Sequence, residues 1–255
     1  LELENNDDAG AQNRLRLDSG SVQLREALHQ LVETGHRYST EYAQEAAAGE
    51  FWRMDGFPPK FSAGEDIRQA AVLVLFWNEP ETGAVHVLLT ERSAHLSKHP
   101  GQISFPGGAV EEFDDDVAAT ALREAQEEVG LDPARVEVLG ALPPAPVPIS
   151  GFNVTPVIAV TDDPGVLAPQ VGEVEHVLKV ALADLVEPEN RYTAVVKFRG
   201  NRLPSPSFWL TPGTGGVFVW GFTAMLLDRV TRRLGWSRPW DTTREVDPHT
   251  FGRGD

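Results

Sequence analysis

The chain has 255 residues, enough to bury a full core, and 41% of them are hydrophobic, as in soluble globular proteins. It contains no cysteine, which excludes disulfides, thiolate metal sites and cysteine nucleophiles. A formal charge of -16 argues against a broad nucleic-acid-binding face, and no apolar run is long enough to cross a bilayer.

Residues 1–20 are polar and aperiodic, so a disordered tail is expected. Leu24, Leu28, Leu31 and Val32 follow at helical spacing, which predicts an N-terminal helical extension over 21–66, broken at Phe57-Pro58-Pro59. Residues 70–77 and 85–90 read as buried strands joined by the turn-rich loop Asn78-Glu79-Pro80-Glu81-Thr82-Gly83. Ile103, Ser104 and Phe105 extend a strand towards the turn at Gly107-Gly108.

A helix comes next, with Val117, Ala118, Ala121, Leu122, Ala125 and Val129 as its apolar stripe. Asp114, Asp115 and Asp116 crowd its N-terminus, where carboxylates cap free N–H groups, and Gly130 supplies the C-terminal stop. Residues 136–142, 154–160 and 174–180 are strand candidates, with a proline-rich loop over 143–148 and a turn at 183–185. Residues 192–198 and 207–210 pair across 199–206, and a helix runs over 219–234. After Gly235 the chain is polar and proline-containing, so 236–255 is expected to be a tail. Strands on both sides of a central helix indicate an α/β architecture.

The central helix carries the chemistry. Glu124, Glu127 and Glu128 stand at i, i+3 and i+4 and share one arc beside the apolar stripe. Like charges so placed weaken a helix by roughly a few tenths of a kcal/mol per pair. Converging carboxylate oxygens suit a hard divalent cation such as Mg2+. Upstream, the segment from Arg92 to Phe105 has no acid and clusters Arg92, His95, Lys98 and His99, which in so acidic a chain fits phosphate recognition. His29, His36, His86, His176 and His249 lack metal-ligand spacing, and Trp209, Phe218, Trp220 and Phe222 read as packing residues.

Arg123-Glu124-Ala125-Gln126-Glu127-Glu128-Val129-Gly130-Leu131 resembles the second half of the Nudix box of the Nudix hydrolases, G-x5-E-x7-R-E-U-x-E-E-x-G-U with U aliphatic. In the first half, Asp114 stands where the first Glu is expected after Gly108, and Arg123 lies one residue beyond the usual spacing. The run from Leu88-Leu89-Thr90 through Arg92, Leu96, His99 and Gly101 to Ile103-Ser104-Phe105-Pro106-Gly107-Gly108 is similar to the motif of the coenzyme A pyrophosphatase branch. Ser150-Gly151-Phe152-Asn153-Val154-Thr155-Pro156 and Trp220-Gly221-Phe222-Thr223-Ala224 also resemble segments of that branch.

The resemblance implies a Nudix domain over 67–235, an α/β/α sandwich with a mixed β-sheet between helices. It implies a metal-dependent hydrolase that cuts coenzyme A or acyl-CoA into 3′,5′-ADP and 4′-phosphopantetheine with Mg2+ or Mn2+. Glu124, Glu127, Glu128 and the Gly108 carbonyl would hold the metal, and Arg123 would orient the carboxylates. The base is a box glutamate, Glu173 or Glu175. Arg92, Lys98 and His99 are the candidate phosphate contacts, and Phe152 would flank the adenine or the pantetheine arm. Hydrolysis of another nucleoside diphosphate derivative such as ADP-ribose, and a non-catalytic nucleotide sensor, are the alternatives. The expected partner is a small nucleotide, with no nucleic acid and no membrane, and a homodimer stays open. No basic-then-apolar leader opens the chain, so the expected compartment is the cytoplasm.

Overall fold

The computed structural model describes residues 21–41, 67–96, 99–147, 150–198, 201–211 and 216–251. The expected tail over 1–20, residues 42–66 of the helical extension, and Lys98 lie outside the described residues.

Strand β1 (Arg68–Asn78) is apolar on both faces because it runs through the middle of a sheet. Along one edge it pairs in parallel with β7 (Phe152–Val160), from Arg68 opposite Phe152 to Phe76 opposite Val160. Along the other edge its last residues meet β2 (Val85–Arg92), and Ala70–Val72 meet β4 (Gly107–Ala109), both antiparallel. Strands β3 (Ile103–Ser104) and β8 (Val174–Ala181) add to β2, while β5 (Glu137–Ala141) and β6 (Ala145–Val147) add to β7. One parallel pair among antiparallel ones makes this eight-stranded sheet mixed, as the resemblance implies.

Alternation along β1 sorts the core into two layers. Ala71, Leu73, Leu75 and Trp77 face helix α2 (Val117–Val129) and pack on Ala121, Ala125 and Val129. Val74 and Phe76 face the opposite way, onto Leu24, Leu28, Leu31 and Val32 of α1 (Ser21–Glu41) and Ala224, Leu227 and Val230 of α4 (Gly221–Arg233). The sheet therefore lies between helices. A short α3 (Leu182–Val186) occupies the expected turn after β8.

A second, smaller sheet runs in the order β11-β10-β9-β12, from β9 (Arg191–Phe198), β10 (Asn201–Leu210), β11 (Val217–Val219) and β12 (Glu245–Val246). Strand β10 starts six residues earlier than its pattern predicts. Pro204 and Pro206 are tolerated because β11 reaches only Phe208–Leu210, leaving that edge of β10 unpaired beside them. Strand β6 likewise lies inside the expected proline-rich loop.

The expectation of a tail after Gly235 is corrected by this sheet. Residues 236–251 close over it, with β12 parallel to β9 and the Thr193 hydroxyl donating to the Thr242 carbonyl at 2.8 Å. Phe251 lies 4.7 Å from Phe218 and 5.0 Å from Tyr192 between ring centroids. Isolated aromatics and backbone bonds hold this segment, so no apolar period announces it. Beneath it, Arg191 and Asp228 form a fully buried ion pair, with the Arg191 guanidinium 4.7 Å from the rings of Phe208 and Trp240.

Candidate active site

Helix α2 begins at Asp116, whose side chain accepts from the Ala119 N–H at 2.8 Å, and ends at Gly130 in the left-handed conformation. Both ends sit where the sequence places them. The glycine turn lies against the side of this helix. At Gly107 a Cβ would overlap the backbone of β1, and at Gly108 it would overlap the Glu124 carboxylate. These positions are glycine because strand, turn and carboxylate meet there.

Arg123 organises the acids. Its Nε and Nη2 donate to the two oxygens of Asp114 at 2.9 and 3.0 Å, a bidentate pair. Nη1 donates to Glu124 at 2.8 Å and to Glu127 at 3.3 Å, and Nη2 also reaches the Ala109 carbonyl at 3.2 Å. Asp114 accepts further from Thr120 and from the Glu111 N–H. It is therefore the main anchor of Arg123, a role its place in the expected first acidic position signals but the cap expectation misses. Arg123 holds the Asp114 carboxyl well below the usual carboxylate range. Phe113, 73% exposed, lies below the Arg123 guanidinium at 5.5 Å.

Glu128 is the buried member of the triad, 7% exposed, with one carboxylate oxygen lacking a hydrogen-bond partner. Burial pushes its pKa up to about 8, and the neighbouring Glu124 charge adds to the rise. The Gly107 N–H and the Arg92 charge oppose it. Burial also raises Glu124, against the pull of Arg123. Glu173 adds to both shifts, which places this loop carboxylate near the site. Its backbone is held by the Ser93 N–H at 2.8 Å, while the Gln170 N–H donates to the Glu128 carbonyl. Glu175 is the extra residue of a bulge between β8 and β2 and is exposed.

Of the sequence-predicted site residues, the structure brings Gly108, Arg123, Glu124, Glu127, Glu128 and Arg92 to one region. Glu127 is turned outward towards Arg123. Among the described residues, no three His, Asp or Glu side chains converge closely enough to hold a metal, because Arg123 draws Glu124 and Glu127 to itself. His99 is exposed on a tight turn with φ 54°, and Lys98 lies outside the described residues. Phe152 sits at the start of β7, on the sheet face opposite α2 by alternation from Ile158 and Val160.

The raised Glu128 carboxyl has a consequence for stability without metal. An unfolded-chain glutamate titrates near pH ~4.3, so between that value and about 8 the folded protein holds a proton that the unfolded chain has lost. The stabilisation is full below the lower value and is lost as pH rises through the upper one. In chelator, the melting temperature should fall by several degrees from about pH 5.5 to about pH 8.5, and Glu128→Gln should flatten that fall. Parallel slopes for both proteins would contradict the burial argument.

A mixed sheet with an acid-bearing helix docked on a glycine turn defines a hydrolase of a known class. The family model of the NUDIX domain matches residues 67–197, which include every residue of this site. The chain belongs to the Nudix family. It is 41% identical over 174 residues to the Nudix hydrolase NudL of Salmonella paratyphi B, covering 66% of this chain and 83% of that protein, and equally to NudL of Salmonella newport. Among solved structures, the Nudix hydrolase RenU of M. Smegmatis is 26% identical over 46% of this chain and 72% of its own, with a TM-score of 0.39. A MutT/nudix family protein from Enterococcus faecalis is 15% identical over 79% and 73%, with a TM-score of 0.43. Among the described residues no helix is long and apolar enough to cross a membrane.

Proposed function

We propose that this Nudix hydrolase cleaves the pyrophosphate bond of coenzyme A or an acyl-CoA in the cytoplasm, releasing 3′,5′-ADP and 4′-phosphopantetheine, with Mg2+ or Mn2+. The observation that carries the reading is the path of the residues resembling the coenzyme A motif. They form β2, β3 and β4, and deliver Arg92 beside Glu128 and the glycine turn beside Glu124.

The residues fit a hard cation. The unpartnered buried oxygen of Glu128 needs a proton or a cation, and Glu124, Glu127 and the Gly108 carbonyl supply further oxygen donors. A cation bound there supplies charge neutralisation on the diphosphate and acidifies a water. It would compete with Arg123 for Glu124 and Glu127. Arg123, fixed by Asp114, keeps those carboxylates ionised and oriented. Water attacks one phosphorus, the bond from that phosphorus to the bridging oxygen breaks, and the proton of the water passes to a carboxylate. Glu173 suits that role better than Glu175, since its charge acts on both Glu124 and Glu128. The Arg92 guanidinium Nε has no hydrogen-bond partner among the described residues and is free to meet a phosphate oxygen.

The test is turnover of coenzyme A, dephospho-coenzyme A and ADP-ribose by wild type and Arg92→Ala, with products identified by mass. The expected result is a preference for coenzyme A. Arg92→Ala should lower kcat/KM on it by one to two decades, the loss of one charge-assisted contact of about 1.5–3 kcal/mol. An equal loss on every substrate would make Arg92 a partner of Glu128 instead. A preference for ADP-ribose, or binding without product under any divalent metal, would overturn the reading.

A further inference from the structure

At the open end of the main sheet, Arg68 and Phe152 begin the parallel strands β1 and β7 as register partners. The Arg68 guanidinium lies 4.0 Å from the Phe152 ring centroid, Arg68 being exposed and Phe152 half-buried. A cation over an exposed ring contributes about 0.5–1 kcal/mol, too little by itself to explain why two planar groups stand at a sheet end. The strands are tied there independently. The Arg68 N–H donates to the Gly151 carbonyl at 3.0 Å, and Asn153 donates to the Gln69 side chain at 3.4 Å. The stack is therefore not needed to close the sheet.

Its distance from the acidic cluster is meaningful. Ala71 faces Gly108 in the β1–β4 register, and Arg68 lies three residues further along β1, roughly 10 Å at ~3.3 Å per residue. That is about the reach of a ribose and one phosphate between a base and the diphosphate bond. Gly151, left-handed with φ 72°, precedes Phe152 and puts no side chain beside the ring.

We propose that Arg68 and Phe152 form the stacking platform for the adenine of the substrate, the base lying on the ring and guanidinium planes while its diphosphate reaches the glutamates of α2. The assignment rests on the nucleotide reading above for its substrate but can be tested apart from it. Stacking is carried by planar faces, so every purine binds and the edge atoms matter less. The pantetheine arm makes no use of this pair.

The test uses the two product halves as ligands. Calorimetry should show 3′,5′-ADP binding weakened by about ten-fold or more in Phe152→Ala, within the range measured for a lost base–aromatic stack. Phe152→Trp should retain it, Arg68→Ala should weaken it, and binding of 4′-phosphopantetheine should not change. Adenine H2 and H8 resonances should move upfield on wild type and not on Phe152→Ala. Equal losses for both ligands, unchanged 3′,5′-ADP binding in Phe152→Ala, or no adenine nucleotide binding by wild type would overturn the platform. Adenine binding that depends on Phe152 in a protein that does not cleave coenzyme A would keep the platform and reject the substrate. Cleavage of coenzyme A with an unchanged KM in Phe152→Ala would do the reverse.

Discussion

Glu128→Gln and Glu127→Gln should each lower turnover by about two orders of magnitude or more while the protein stays folded. Removing one preorganised charged group from a reacting centre typically costs ~10²–10³ in rate. The two variants should nevertheless differ in stability. Glu128 is buried with an unpartnered oxygen, so its amide removes a charge that burial disfavours, and the metal-free melting temperature should rise at about pH 8. Glu127 is exposed and loses one contact to Arg123, so its melting temperature should hardly move. Steady-state kinetics at saturating Mg2+ with parallel melting curves makes the comparison. Near wild-type turnover in both variants would remove this helix from the chemistry.

Asp228→Asn should cost about 3–5 kcal/mol, the largest stability loss expected of a single exchange here. Asp228 and Arg191 are fully buried against each other, and Arg232 Nε lies 2.8 Å from the second Asp228 oxygen. The Arg191 Nε and Nη1 have no hydrogen-bond acceptor among the described residues, so the pair is held largely by charge and by the rings of Phe208 and Trp240. Losing the carboxylate strands a buried cation. Replacing both partners, as in Arg191→Met with Asp228→Leu, should recover much of the loss because neither charge remains to be desolvated. Denaturant midpoints measure both. A single variant within about 1 kcal/mol of wild type would show that water reaches the pair.

Neither residue of that pair draws notice in the sequence. Arg191 and Asp228 are separated by 37 positions, and each reads as an ordinary surface charge. The same holds for the segment from Trp236 to Phe251. Its contacts are single aromatics inserted between strands, and such contacts leave no period to detect. Strand β10 shows a related limit. Pro204 and Pro206 argue against a strand until the free edge beside them is known.

What the sequence determined by itself lies where structure is local or periodic. The alternation of residues 70–77, the apolar stripe of α2, its cap at Asp116 and its stop at Gly130 depend on neighbours within a turn or two, and the structure places all of them as expected. The glycine turn and the glutamate spacing are local in the same sense, which is why the Nudix family was legible. Tertiary structure alone decided the rest. It showed that Arg123 spends its fork on Asp114, that Glu128 and not Glu127 is the buried carboxylate, and that Glu173 comes near both from a distant loop. It also set Arg68 against Phe152 across 84 positions of chain. Burial and charge proximity arise from which segments pack together, and no short stretch of sequence carries that information.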